Sequence, residues 1–331
     1  MNKTVTLKLP DGTTVRKHVR AKDEKELNAK VQKIYAELTR GRPIGKVIDD
    51  WYAEHSRVIS YNTQLAYVQP IKDIKEYLGD KYFNEIKASD INRFIIDLFE
   101  DRRYSRSSLC IRLAVLNDLF DYAVLRDLCE YNPCGSVKLP RAATSKKREL
   151  PTDDQIAAVK SGVKADFGLF AFFLLYTGCR KGEALAIRFE DIDRKRKTIT
   201  IDKAVVYHGN DAVIDKPKTS CSIRTVPLLA PLEIALPKNK SGFVFGGDRP
   251  VGKWEFERSW NRYTKQIGVS ITPHQLRHAY ATILYDAGLP VKDSQLMLGH
   301  SRSQTTQDIY QHITDARRQQ AFEKLQNFVN D

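Results

Sequence analysis

The sequence predicts a multidomain chain in three parts. A small β-hairpin with a helix comes first, then an all-α middle domain, then a mainly helical α+β domain with one small antiparallel sheet. Three observations predict it. Residues 5–19 alternate apolar and polar around Asp11-Gly12, a hairpin turn signal. Residues 44–140 keep their apolar side chains three and four apart. From Leu150 onward, helical stretches flank two runs of strand character, 197–206 and 213–228, with Gly209-Asn210 in the turn between them.

The first part, residues 1–42, pairs Val5, Leu7 and Leu9 with a second strand over 14–19. Leu27, Val31, Ile34 and Leu38 then share one face of a helix over 22–38. It carries 11 basic against 5 acidic side chains and ends at Gly41-Arg42-Pro43. So few residues make a poor core alone. A basic ribbon fits a major groove; the ordinary alternative is a solvated hairpin.

The middle part, residues 43–140, predicts helices over 44–55, 60–77, 88–99 and 107–125, with Ser60 and Ser89 as N-caps. Arg103, Tyr104, Arg106 and Arg112 gather at the start of the last helix, where phosphate contacts are common. A bundle with a solvated basic face reads the same way. Residues 141–149, beyond Pro133 and Pro140, are small, polar and basic and read as a linker. Lys147 and Arg148 are its candidates for touching a wrapped duplex.

The last part, residues 150–331, predicts helices over 151–159, 167–176, 253–267, 272–287, 291–298 and 304–326. Thr272, Pro273 and Gln275 open the fourth of these as a capping box.

Composition bounds the function. The chain of 331 residues has 54 Lys plus Arg against 41 Asp plus Glu, a net +13 that suits a polyanionic partner. Its five cysteines include no CxxC pair, which argues against a disulfide framework or a cysteine zinc site. No apolar run reaches the ~18 residues that cross a bilayer, and the N-terminus has no apolar signal region. The expectation is a cytoplasmic protein with no membrane role.

Four of the seven histidines, His274, His278, His300 and His312, fall after residue 270. His274, Arg277 and His278 share one face of a first helical turn, where free N–H groups and the positive dipole end already favour an anion. A metal site is the alternative for HxxRH, but it wants carboxylate support, and Arg277 opposes a cation. Three other islands stand out. Arg180 and Glu183 follow Thr177-Gly178, a sharp helix end. Lys218 lies on a hairpin ahead of a strand that begins near Arg224. Leu298-Gly-His300 ends a short helix, and Tyr310 follows on the next. Each alone has an ordinary reading: a surface ion pair, a capping histidine, a core tyrosine.

Together, Arg180, Lys218, His274-x-x-Arg277, His300 and Tyr310 resemble the signature of the tyrosine recombinases, the phage-integrase family. The stretches TGCRKGEAL, KTSCSIRTVPL, HQLRH, LGH and TTQDIY match in order and spacing. The resemblance is strong over 150–315 and looser over 44–140, as a core-site DNA-binding domain. Residues 1–42 resemble the arm-site modules of phage and conjugative-transposon integrases, with two strands where those usually have three.

The resemblance implies a site-specific recombinase that integrates or excises a mobile element. It would cut and rejoin duplex DNA through a 3′-phosphotyrosine, with no metal, nucleotide or other cofactor. Tyr310 would be the nucleophile, Arg180, Arg277 and His300 the phosphate ligands, His274 the general base and Lys218 the general acid. Glu183 and Asp191 would buttress Arg180, and His278 would sit behind the site. Arg258 and Arg262 would face DNA. The implied partners are double-stranded recombination sites, an excisionase and a DNA-bending host factor. A homotetramer would form on DNA by exchange of the C-terminal tail, whose Ala321, Leu325 and Phe328 share a face. The implied location is the cytoplasmic nucleoid. Alternatives are a chromosome-dimer-resolving recombinase, a type IB topoisomerase-like strand transferase, and a DNA-binding protein without catalysis.

Overall fold

The computed structural model describes residues 2–8, 14–39, 42–144, 150–215, 223–238, 240–301 and 303–330. The chain divides into two compact units, Met1–Lys147 and Arg148–Asp331.

In the first unit, β1 (Asn2–Lys8) pairs antiparallel with β2 (Thr14–Arg20), Val5 opposite Lys17. The turn at Asp11-Gly12 lies outside the described residues. Helix α1 (Glu24–Thr39) sets Leu27, Val31 and Ile34 against Val5, Val19 and Ala21. Four helices follow: α2 (Ile44–His55), α3 (Tyr61–Leu78), α4 (Ala88–Glu100) and α5 (Arg106–Leu125). The three-and-four spacing of their apolar residues becomes one core, including Trp51, Ile74, Phe94, Leu98, Leu116 and Phe120. Ser60 caps α3 by accepting the Thr63 N–H at 3.4 Å. Ser89 does not cap α4. Asp90 accepts the Lys87 N–H at 2.9 Å, so the cap is Lys87, two residues earlier, and Ser89 lies inside the helix.

Arg112 is corrected as a DNA contact. Its side chain is buried, with Nε and Nη2 each 2.7 Å from the fully buried Asp73 carboxylate and the Tyr104 ring 3.8 Å away. Asp73 also takes Arg102 at 3.2 Å. Two arginines on one buried carboxylate form a core pair that leaves Arg112 little reach toward a phosphate.

The second unit opens with α6 (Asp153–Ser161) and α7 (Gly168–Thr177), the apolar run at its centre, where Phe170, Phe173 and Leu174 are fully buried. After α8 (Lys181–Ala186) come five short strands: β3 (Ile192–Asp193), β4 (Thr198–Ile201), β5 (Ala204–His208), β6 (Asp211–Asp215) and β7 (Arg224–Pro227). The single predicted sheet is two sheets among the described residues: β3-β4-β7 and β5-β6, all antiparallel. The chain leaves the first sheet at Asp202-Lys203, where Lys203 turns to pair with Asp191 and Asp202 at 2.8 Å each. Helices α9 (Ala230–Ala235), α10 (Lys253–Gln266), α11 (Pro273–Asp286), α12 (Val291–Leu298) and α13 (Ser303–Asn330) complete the unit. No described helix is long and apolar enough to cross a membrane.

Candidate active site

The site begins where α7 stops. Gly178 ends the helix at φ +63, and a Cβ there would sit 2.3 Å from the Tyr280 ring. Its carbonyl accepts from Arg277 Nη1 at 2.9 Å. Arg180 stands at the head of α8, and Glu183 three residues on accepts both the Arg180 N–H at 2.8 Å and Arg180 Nη1 at 2.7 Å. On α11, Thr272 and Gln275 form the expected capping box, at 2.9 and 3.2 Å. That box fixes the first turn, which carries His274, Arg277 and His278.

Three arginines meet on Glu183. The Arg180 guanidinium binds Oε1; Oε2, which takes the Arg180 N–H, also takes Arg224 Nη2 at 2.8 Å and lies 3.9 Å from Arg277 Nη1. Burial alone would push the Glu183 carboxyl up. The Arg224 bond and charge, the Arg180 N–H and the Arg277 charge outweigh it and hold the group below its ordinary range. The same arginines also bind three successive carbonyls at the end of α12. Met297 accepts from Arg224 Nε at 2.8 Å, Leu298 from Arg277 Nη2 at 2.5 Å, and Gly299 from Arg180 Nη2 at 3.1 Å. These belong to the last turn of a helix, where carbonyls lack intrahelical partners and the dipole end is negative.

A cavity of about 190 Å³ opens against this cluster, lined by Arg180, His274, Arg277, His278, His300 and, from α13, Thr305 and Ile309 among others. Arg277 is buried, whereas the Arg180 side chain is 46% exposed. Burial, then the Arg180 charge, pushes the Arg277 guanidinium down to about 9, still cationic at neutral pH. Three cations against one carboxylate leave the cluster positive. Burial first, then Arg277, Arg180 and Arg224, pushes His300 down to about 3, so its ring is neutral. Its Nδ1 lies 2.9 Å from the Thr306 hydroxyl. With Thr306 donating, the proton sits on Nε2 and is available to an anion. His274 is exposed, and its ring meets that of His278 edge-on at 4.5 Å. Such a pocket offers a tetrahedral oxyanion two guanidinium groups and an imidazole donor.

Tyr310 does not line the cavity. It is buried on α13, with its phenol 2.5 Å from the Ser294 hydroxyl and 3.4 Å from the Leu289 carbonyl. The Tyr285 ring packs edge-on at 5.0 Å. Burial pushes the phenol above its ordinary value, against the Ser294 hydrogen bond that lowers it.

The structure thus brings together Arg180, Glu183, His274, Arg277, His278 and His300 and sets Tyr310 beside them on a neighbouring helix. Lys218, Lys147 and Arg148 lie outside the described residues, as do the side chains of His312, Ala321, Leu325 and Phe328. Asp191, expected behind Arg180, instead accepts from Lys203 and caps the Arg188 N–H at 2.8 Å. Arg103 and Arg106 are exposed at the start of α5. Arg258 and Arg262 are exposed on α10, Arg262 paired with Asp166 at 2.7 Å, and Trp254 stands 67% exposed one turn before Arg258. Sequence reasoning missed Arg224, Ser294 and Thr306 as parts of the site. Arg224 had a signal: in β7 it alternates in phase with buried Val226, while Thr225 is exposed.

Residues 156–317 match the phage integrase family, and residues 48–127 match the phage integrase N-terminal SAM-like domain. The chain is 25% identical to a tyrosine recombinase XerC-like protein of Caldanaerobacter subterraneus subsp. tengcongensis, over 95% of this chain and 92% of that one. It is 27% identical to the prophage ps2 probable integrase of Lactococcus lactis subsp. lactis, over 88% and 85%. Its fold is similar to that of the Tn1549 transposon integrase solved with a circular intermediate DNA, at a TM-score of 0.68 and 21% identity, covering 86% of this chain and all (100%) of that one.

Proposed function

We propose the following division of labour for this chain, which belongs to the phage integrase family and is a tyrosine-type site-specific DNA recombinase. Residues 150–331 carry the chemistry, 43–140 bind the core site, 141–149 link the two, and 1–42 bind a separate arm site. The substrate is a phosphodiester in duplex DNA. Arg180 and Arg277 hold its non-bridging oxygens and stabilise the charge that builds in the transition state. His300, neutral, donates a further hydrogen bond. The Tyr310 oxygen attacks phosphorus; the new O–P bond replaces the bond to the 5′-oxygen. His274 takes the phenol proton and Lys218 supplies one to the leaving oxygen. The reverse attack by a partner strand's 5′-hydroxyl rejoins the backbone, and the conserved bond energy removes any need for a nucleotide.

One observation carries this reading: two arginines and three histidines from α8, α11 and the α12–α13 turn line one cavity, beside the helix that bears Tyr310. In this arrangement Tyr310 must leave Ser294 to act. Site binding is therefore coupled to a rearrangement of the first turns of α13. Exchange of the C-terminal tail within a homotetramer on two duplexes is the event that would drive it. An excisionase and a DNA-bending host factor would set direction. Integration or excision for a mobile element suits the basic N-terminal hairpin better than resolution of chromosome dimers.

The test is recombination in vitro between two plasmid-borne sites taken from the flanks of the source element, with EDTA present. Recombinant product that is lost with Tyr310→Phe supports the reading. Product that forms equally with Tyr310→Phe, or only when a divalent metal is restored, overturns it.

A further inference from the structure

We infer that Arg224 is a positioning residue for strand cleavage, fixing both the carboxylate and the turn on which Arg180, Arg277 and His300 depend. The inference rests on reading those three groups as the phosphate site.

Arg224 opens β7 with a side chain only 5% exposed. It does not line the cavity that holds Arg180 and Arg277; with His300 it lines a neighbouring one, and its Nη2 and Nε are committed to Glu183 and the Met297 carbonyl, so it acts through those groups rather than on the phosphate. Its contacts run two ways. Nη2 holds Glu183, the shared partner of Arg180 and Arg277. Nε holds the Met297 carbonyl, the first of the three successive carbonyls that take one arginine each. The guanidinium also fills the space under the turn leading to His300. A Cβ on Gly299, which has φ +66, would lie 2.9 Å from Arg224 Nη1. The position therefore wants a planar cation with donors in two fixed directions, and a lysine keeps the charge without the fork. Loss of the fork frees Glu183 to shift and unties the turn, which misplaces both arginines and His300. Displacements of about 1 Å at reacting groups cost on the order of 10²-fold in rate.

The experiment is single-turnover cleavage of a nicked site duplex by the full chain, with the DNA concentration varied, for wild type, Arg224→Lys and Arg224→Gln. A positioning role predicts a maximal rate lower by about 10²-fold for the glutamine and about tenfold for the lysine. The half-saturating DNA concentration stays within about twofold of wild type, a split that general destabilisation does not produce. A variant that cleaves within about threefold of wild type overturns the inference, as does an equal loss of rate and DNA affinity. Where Arg224→Gln does not fold, Glu183→Gln with Arg224→Gln removes the buried pair together and is compared with Glu183→Gln alone. A double variant that cleaves more slowly than Glu183→Gln, at unchanged half-saturating DNA, supports the second path through the Met297 turn, and equal rates contradict it. Failure of the underlying reading looks different: wild type itself would then form no Tyr310-dependent covalent product.

Discussion

The phenol of Tyr310 and the hydroxyl of Ser294 are 2.5 Å apart, while the residue before Tyr310, Ile309, lines the cavity of Arg180 and Arg277. Successive helical residues point about 100° apart. Tyr310, the proposed nucleophile, is thus one helical position away from the residue that faces the cavity. Turning or unwinding the start of α13 would bring it in, at the expense of the Ser294 hydrogen bond.

Ser294→Ala removes that bond and leaves only the longer Leu289 contact. A net hydrogen bond contributes about 1 kcal/mol. Where release of Tyr310 limits cleavage, covalent complex should form about fivefold faster, at unchanged DNA affinity. A rate that stays the same or falls would show that the contact does not restrain the tyrosine.

Arg277→Lys replaces a buried fork held by Gly178 and Leu298 with a single ammonium. Maximal cleavage should drop by about 10²- to 10³-fold, the range for losing one aimed donor to a developing oxyanion. DNA retention in a gel-shift assay should change little, since the exposed basic residues carry most of that affinity. An equal drop in both would point to a binding role instead.

Stability should fall on acidification through His300. Its folded value is depressed to about 3, against an unfolded value of about 6.5. Below about 6.5 the unfolded chain binds a proton that the folded chain refuses, so stability is complete above that pH and lost as pH falls. The slope reaches about 1.4 kcal/mol per pH unit. Glu183, also held below its ordinary range, adds loss in the same direction at lower pH. Urea midpoints from Trp254 and Trp260 fluorescence, in a Trp51→Phe background, should drop between pH 6.5 and 5. The drop should flatten in His300→Asn, and identical slopes would contradict the neutral-histidine assignment.

The two kinds of arginine on the first unit should behave differently. Asp73→Asn leaves Arg112 and Arg102 without their shared carboxylate and should destabilise this unit by about 3–5 kcal/mol, the cost of breaking a buried pair. Arg106→Gln, at an exposed position, should leave urea stability nearly unchanged. If Arg106 meets a phosphate, the substitution lowers the slope of log affinity against log salt by about one. A reversed pattern would restore Arg112 as a DNA contact.

The helices of both units were legible because three-and-four spacing survives in a single sequence. α2 and α12 fall at the predicted residues, and the Thr272 box forms as read. The strands were less so. Five strands of two to five residues carry too few alternations to mark where one sheet ends and the next begins. In the site, the residues legible in the sequence were those whose type is unusual for their place, an arginine after a helix-ending glycine or a histidine at a helix end. Ser294 and Thr306 are ordinary helical residues, and only packing gives them partners. Arg112 misled for the opposite reason. Its partner Asp73 lies on another helix, and spacing along the chain does not reveal a pair formed across the bundle.

The most direct test of the central claim is to trap the cleavage intermediate on a nicked, labelled site duplex in EDTA and map the attachment by peptide mass spectrometry. The expected result is a covalent complex linked through a 3′-phosphate to Tyr310 and absent from Tyr310→Phe. A complex attached to another residue, or cleavage of the same duplex without any covalent protein, would contradict it.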